Sequence, residues 1–185
     1  MALQAAVQPP PRPAPEDLPA SFEELYDTYA EAIFRTLARL GVEAMHLEDA
    51  AQEVFVTAWK KQSGFAQRST LKTWLTGIAI NVASHHRRSA GRRGIATEVS
   101  DQLPSARPGP EADLQRRQGL QLLQSVLKGL SDEQREVFVM MEMEGLSAPE
   151  ASALLNVGSN TVYSRLRLAR AAFNAAVSKL QGGAR

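Results

Sequence analysis

The side chains best suited to chemistry lie near the C-terminus, where Ser159, Asn160, Thr161, Tyr163, Ser164, Arg165, Arg167 and Arg170 crowd together with no acid among them. These are the groups that nucleic-acid recognition uses. Arg forks onto guanine edges or phosphates, Asn onto adenine, and hydroxyls donate to phosphate oxygens. Val162, Leu166, Ala169 and Phe173 recur between them at helical spacing. At about 100° per residue, this stripe turns Asn160, Ser164 and Arg167 outward, with the other polar groups at its flanks. The same pattern also suits an amphipathic helix with an ordinary solvated basic face.

A second cluster comprises Lys72, Asn81, His85, His86, Arg87 and Arg88, with Arg92 and Arg93 beyond and the rings of Phe65 and Trp74 at or before its start. Bases interleaved with flat rings suit single-stranded nucleic acid, which needs a neutralised backbone and a stacking face. Trp74 falls on an apolar stripe and reads as core. A third cluster, Glu48, Asp49, Gln52 and Glu53, opens a helix. The first two complement the helix dipole. Gln52 and Glu53 carry the strip further, which fits either a solvated face or a partner with a basic surface.

Enzymatic constellations are missing. The chain has no Cys, which excludes thiolate zinc sites, cysteine nucleophiles and disulfides. His46, His85 and His86 fit no metal spacing, and the adjacency of His85 and His86 is expected to send their rings to different sides of a helix. Gly41, Gly64 and Gly91 are isolated, so no phosphate loop is present. The expectation is no catalytic residue, no metal and no cofactor.

Helices must position these groups. Ser21 and Glu24 read as a capping box ahead of Leu25, Tyr29, Ile33, Phe34, Leu37 and Leu40, and Gly41 ends that helix. A second helix spans about Leu47 to Lys61 with Ala51, Val54, Phe55, Ala58 and Trp59 inward. The third begins near Ser69 and extends towards Arg88. After a break, a helix is expected from Leu114 to Leu127. Capping boxes at Ser131/Gln134 and Ser147/Glu150 open two more, the second with Pro149 in its first turn. Asn156-Val157-Gly158 then leads to a final long helix capped by Ser159 or Asn160. Two helices joined by so short a turn, the second rich in Arg, form a helix-turn-helix pattern.

Proline sets the limits of these blocks. Six of the ten prolines fall in residues 9 to 19, and Pro104, Pro108 and Pro110 in a second stretch; neither can run as helix. The expected fold is all-α, with two small helical domains: a tail at 1–20, a domain at 21–94, a linker at 95–111 and a helix-turn-helix domain at 112–181. The formal net charge of +1 conceals an alternation along the chain. Residues 21–53 carry eight acids against two bases, 54–97 eight bases and no acid, 98–150 ten acids against five bases, and 151–185 five bases and no acid. Such asymmetry points to separate partners. No apolar run nears the roughly 20 residues that span a bilayer, and the N-terminus lacks a signal-peptide pattern. A cytoplasmic protein without membrane insertion is expected.

Two segments together resemble RNA polymerase sigma factors of the extracytoplasmic-function type, in the sigma-70 family. Leu47-Glu-Asp-Ala-Ala-Gln-Glu-Val-Phe-Val-Thr-Ala-Trp59, Leu71-Lys-Thr-Trp-Leu-Thr-Gly-Ile-Ala-Ile-Asn81 and Arg87-Arg88 are similar to region 2 of that family. Leu130-Ser-Asp-Glu-Gln-Arg-Glu-Val-Phe138, Glu144-Gly-Leu-Ser147 and Thr161-Val-Tyr-Ser-Arg-Leu-Arg-Leu-Ala-Arg170 are similar to region 4. The resemblance implies a protein that joins core RNA polymerase, recognises the −10 and −35 promoter elements and promotes transcription initiation. It implies contacts with the β′ clamp helices through Asp49, Gln52, Glu53, Phe55 and Trp59. For the melted −10 strand it implies Phe65, Arg68, Thr70, Lys72, Asn81, His85, Arg87 and Arg88. For the −35 duplex it implies Ser159, Asn160, Thr161, Tyr163, Ser164, Arg165, Arg167 and Arg170, with the β flap as a further contact. An anti-sigma factor is the remaining partner implied. The chain departs from the family pattern at Ile80, His85, Asn156 and Asn160. On the residues alone, a stand-alone helix-turn-helix regulator and a protein–protein adaptor remain alternatives.

Overall fold

The computed structural model describes residues 18–65, 69–93 and 123–182. The expected tail up to residue 17, Arg68, the linker and Leu114 lie outside the described residues, as do the side chains of Arg92 and Arg93. Among the described residues every regular element is helical: α1 (Phe22–Arg39), α2 (Leu47–Lys61), α3 (Leu71–Arg93), α4 (123–129), α5 (Asp132–Phe138), α6 (Ala148–Leu155) and α7 (Ser159–Gly182). Single 3₁₀ turns precede and follow α2.

The first three helices pack on one another. Leu25, Ile33, Leu37, Leu40, Ala50, Ala51, Val54, Phe55, Ala58, Leu71, Leu75 and Ala79 are buried where they meet. The inward residues of α1 and α2 recur at three and four positions, so each helix offers one continuous apolar face. Burying each large side chain contributes about 1.5–3 kcal/mol. The Ser21 hydroxyl accepts from the Glu24 amide, 3.1 Å, but Glu24 reaches back to the Ala20 amide, 2.8 Å, one residue before the reciprocal position of a capping box.

Several local signals in the second half are realised. Both expected capping boxes form, at Ser131/Gln134 and Ser147/Glu150. In the first, the Ser131 hydroxyl also donates to Glu133, 2.9 Å. Backbone hydrogen bonding in this first turn, then the Ser131 hydroxyl, hold the Glu133 carboxyl below its ordinary pKa despite its exposure. That small contribution to stability is present at neutral pH and is lost as pH falls through the carboxylate range. Asn156 ends α6 at φ 52°, ψ 45°, a left-handed cap that Asn tolerates. Since α7 opens at Ser159 itself, Ser159 and Asn160 sit within its first turn rather than at the cap.

The helix expected to run from Ser131 to Gly145 is not uniform. It passes at Val139–Met143 into a π-helical segment, in which the Glu144 amide donates to the Val139 carbonyl, 3.0 Å. The wider turn shifts the phase of everything after it and delivers Glu144 inward. Such segments insert single wide turns, frequently at functional sites.

The two helical groups share one apolar core. Buried Gly77 of α3 lies so close to α6 that a Cβ there would be 2.5 Å from a Leu154 methyl. At the C-terminus of α1 the Leu40 carbonyl, an orphan acceptor by its position, accepts from Arg87 of α3, 2.6 Å, and more weakly from Arg135 of α5, 3.5 Å. Gly41 follows at φ 89°, packed so that a Cβ would collide with the Arg135 guanidinium. Gly41→Ala is therefore expected to cost about 1–2 kcal/mol from left-handed strain alone, and more through displacement of Arg135. Urea unfolding should show a lower midpoint at unchanged slope; an unchanged midpoint would remove Gly41 from this corner.

Candidate nucleic-acid and partner interfaces

On α2, the buried face fixes what remains outside. Asp49, Gln52, Glu53, Val56 and Trp59 are exposed, spaced by three and four residues in a single row. Phe55, expected at this interface, is completely buried and lies 4.9 Å from the Tyr26 ring. Burial places it beneath the surface, where it supports the neighbouring Gln52 and Trp59 positions. Trp59, 37% exposed, stands edge-on to Phe22. Val56 and Tyr26, 36% and 37% exposed, add an apolar margin to the acidic row. Neither was singled out from the sequence, although the position of Val56 four residues after Gln52 was a sufficient signal.

On α3, Thr70 closes the N-terminus by accepting from the Thr73 amide, 3.0 Å. Phe65 tilts against half-buried Trp74, 5.0 Å between centroids. Lys72, Asn81, His85 and Arg88 are exposed; the Asn81 amide donates back to the Gly77 carbonyl, 3.1 Å. Arg87 is not exposed with them. Its side chain is 9% exposed and donates to Glu136 of α5, 2.6 Å, as well as to Leu40. Its Nε approaches Asp132 to 3.2 Å, an ion pair off the hydrogen-bond line that leaves this N–H without an acceptor. Arg87 is thus a docking residue in this arrangement, because carboxylates and carbonyls around a buried guanidinium offset the cost of taking its charge out of water.

Glu144, delivered inward by the π segment, is the counterpart. Only 4% of its side chain is exposed, and it contacts Thr36 at 2.8 Å, Arg39 at 3.3 Å and Lys72 at 3.0 Å, all from the first group of helices. The Thr36 hydroxyl lies 2.9 Å from the Ala32 carbonyl as well, so one proton serves two acceptors. Arg135 donates to the carbonyls of Leu127 and Leu130 at 2.8 and 3.2 Å. Burial pulls its guanidinium below the ordinary arginine value, against the raising field of Asp132. Acids of the third charge block thus neutralise bases of the first and second.

On α7 the expected apolar stripe forms. Val162, Leu166 and Ala169 are buried, and Phe173 stacks on Phe138 at 5.5 Å. Ser159, Asn160, Thr161, Tyr163, Ser164, Arg167 and Arg170 are exposed, and Arg165 is partly so. Arg170 pairs with Glu142 at 2.5 Å, which ties it to the preceding segment. The row therefore projects from the helix as a mainly polar surface, interrupted by Leu168, which is 48% exposed.

His85 and His86 also differ from expectation. Their rings lie 5.9 Å apart, edge to face, and His86 Nε2 is 3.2 Å from Glu53 of α2. Rotation about the side-chain bonds offsets the 100° between adjacent helical positions.

Two models of one family match this chain: sigma-70 region 2 over residues 25–93 and sigma-70 region 4 over residues 120–173. The chain is a sigma factor of the extracytoplasmic-function type. It is 28% identical over 165 residues to the RNA polymerase sigma factor NccH of Alcaligenes xylosoxydans, covering 87% of this chain and 89% of that one. To the ECF RNA polymerase sigma factor SigE of Mycolicibacterium smegmatis it is 31% identical over 152 residues, covering 81% of this chain and 59% of the relative. Among solved structures, the sigma factor RpoE of Bartonella quintana in complex with the anti-sigma factor NepR superimposes with a TM-score of 0.69 at 25% identity, over 85% of this chain and 96% of that one. As a sigma factor, the protein binds core RNA polymerase and promoter DNA and directs transcription initiation without being an enzyme. No helix among the described residues is long and apolar enough to cross a membrane.

Proposed function

We propose that the sigma factor divides promoter recognition between its two halves, with a first domain at 21–94, a linker at 95–111 and a second domain at 112–181, and that it works in the cytoplasm. Asp49, Gln52, Glu53 and Trp59 face the β′ clamp helices, with Val56 and Tyr26 as apolar margin. Phe65, Arg68, Thr70, Lys72, Asn81, His85 and Arg88 serve the melted −10 strand, joined by Arg87 once it is released. Ser159, Asn160, Thr161, Tyr163, Ser164, Arg165, Arg167 and Arg170 read the −35 duplex. The exposed polar row of α7, set on a buried apolar stripe, carries this reading.

Run-off transcription with purified core enzyme tests it. Promoter-specific transcripts that require this chain are expected; a stand-alone regulator or an adaptor would produce none. Arg167→Ala is expected to weaken −35 binding and, where the contact is to phosphate, to lower the slope of log affinity against log salt by about one. An unchanged footprint and slope would remove Arg167 from the interface.

Docking and DNA binding compete in this reading. Lys72 and Arg87, assigned to the melted strand, are engaged by Glu144 and Glu136, so carboxylates occupy the places that phosphates would take. The helix groups must separate before the −10 strand can bind. An anti-sigma factor, the class of partner bound to the Bartonella relative, would act by favouring the docked state.

A further inference from the structure

Glu53, His85 and His86 are the one group of three metal-ligating side chains among the described residues, with donor atoms all within 4.8 Å of one another. We propose that they form a site for a divalent transition ion of the zinc class, which ties α2 to α3 and withdraws Glu53 from the polymerase-facing strip. The regulatory half of this proposal rests on the assignment of that strip given above; the binding site does not.

The geometry is nearly assembled. With metal–nitrogen and metal–oxygen bonds of about 2.0–2.2 Å, a tetrahedral ion holds its ligand atoms roughly 3.3–3.5 Å apart. Glu53 Oε2 and His86 Nε2 already stand at 3.2 Å. The exposed His85 side chain has only to rotate to bring its nitrogen from within 4.8 Å to that spacing. Both helices are anchored through buried faces, α2 through Ala50, Ala51, Val54, Phe55 and Ala58, and α3 through Val82 and Ala83 near the histidines. Their backbones are therefore set before an ion arrives, which lowers the ordering cost of binding.

The donor set selects the ion. Two imidazoles and one carboxylate suit zinc, cobalt or nickel and disfavour the all-oxygen shells of calcium and magnesium. Three protein ligands leave a fourth position for water or a partner group. Space exists nearby: a cavity of about 180 Å³ is lined by Gly41, Val42, Glu43, His46, His86 and Arg87. His46 stands beside His86 there, 6.1 Å between ring centroids, with Glu43 4.0 Å from its Nε2. The alternative is that Glu53 and His86 form only an ion pair, which would give the same 3.2 Å contact and no affinity for metal.

Untagged full-length protein, stripped with chelator, is titrated with zinc by calorimetry and with cobalt by visible absorbance. One ion per chain is expected, with the intense cobalt bands of a four-coordinate site. His85→Gln, at an exposed position where folding is not at risk, and His86→Gln should each weaken binding by at least ten-fold with an unchanged circular dichroism spectrum. Zinc should also raise the Tm of the wild type but not of His86→Gln. Absence of saturable binding, or variants that bind as the wild type does, overturns the site. For regulation, zinc is expected to lower core polymerase affinity at least ten-fold in the wild type and not in His86→Gln. Gln52→Lys, measured without metal, separates the two failures. If Gln52→Lys lowers core affinity and zinc does not, the coupling is wrong. If Gln52→Lys has no effect, the strip assignment itself is wrong, and the regulatory half falls with it.

Discussion

Glu144→Ala is expected to undock the two helix groups and to raise affinity for a single-stranded −10 oligonucleotide. The carboxylate is 4% exposed and meets Thr36, Arg39 and Lys72 at once. Removing one member of a buried ion pair typically costs 3–5 kcal/mol. Lys72 is half exposed, 49%, and regains water when released, so about 3 kcal/mol is the expected loss of docking energy. Each 1.4 kcal/mol removed from a competing closed state restores up to ten-fold in apparent affinity. A gain of ten-fold or more in oligonucleotide binding, together with an increased radius of gyration in solution scattering, is the expected result. Tighter DNA binding without expansion would show that Glu144 acts only through local charge, expansion without tighter binding would show that docking does not compete with DNA, and an unchanged radius and affinity would show that Glu144 does not hold the docked state.

Arg87→Ala should undock the helix groups without the gain in DNA affinity. Its guanidinium bridges Leu40 at the end of α1 and Glu136 of α5, both at 2.6 Å, and its removal leaves a carboxylate that is 12% exposed without its cation. The expected loss is about 3–5 kcal/mol, or roughly 10 °C in Tm for a chain of this size. Docking fails as in Glu144→Ala, yet DNA affinity should not rise, because Arg87 is itself assigned to the melted strand. Arg87→Lys should recover only part of the stability, since an ammonium cannot hold a carbonyl and a carboxylate in one planar fork. Full recovery by Lys would show that charge alone matters at this position, and wild-type stability in Arg87→Ala would remove the bridge from the docked state altogether.

The two variants expose a division between what was legible and what was not. The caps at Ser131 and Ser147, the left-handed Asn156 and the exposed row on α7 all depend on interactions between residues a few positions apart. So does the alternation of acidic and basic blocks. None of these needs knowledge of where distant elements lie, and each was legible in the order of residues. Phe55 shows the limit on α2: its spacing marks it as apolar and inward, but which neighbours cover it depends on how Tyr26 of α1 is brought against it. The π segment shows another. No periodicity within Val139–Met143 distinguishes a wide turn from an ordinary one, and Glu144 at its far end meets residues of α1 and α3.

By itself the sequence determined the helical class, the helix-turn-helix and the recognition row, because short-range hydrogen bonds, caps and the 3.6-residue period set them within each segment. Tertiary structure alone decided which charges meet. Thr36 and Glu144 are 108 positions apart, Arg87 and Glu136 49, and Glu53 and His86 33. At such separations the pairing follows from how whole helices dock, and docking is decided by the complementary shape of buried faces such as Gly77 against Leu154. Among the described residues, Asp132, Glu136, Glu142 and Glu144 of the third block acquire their basic partners only there.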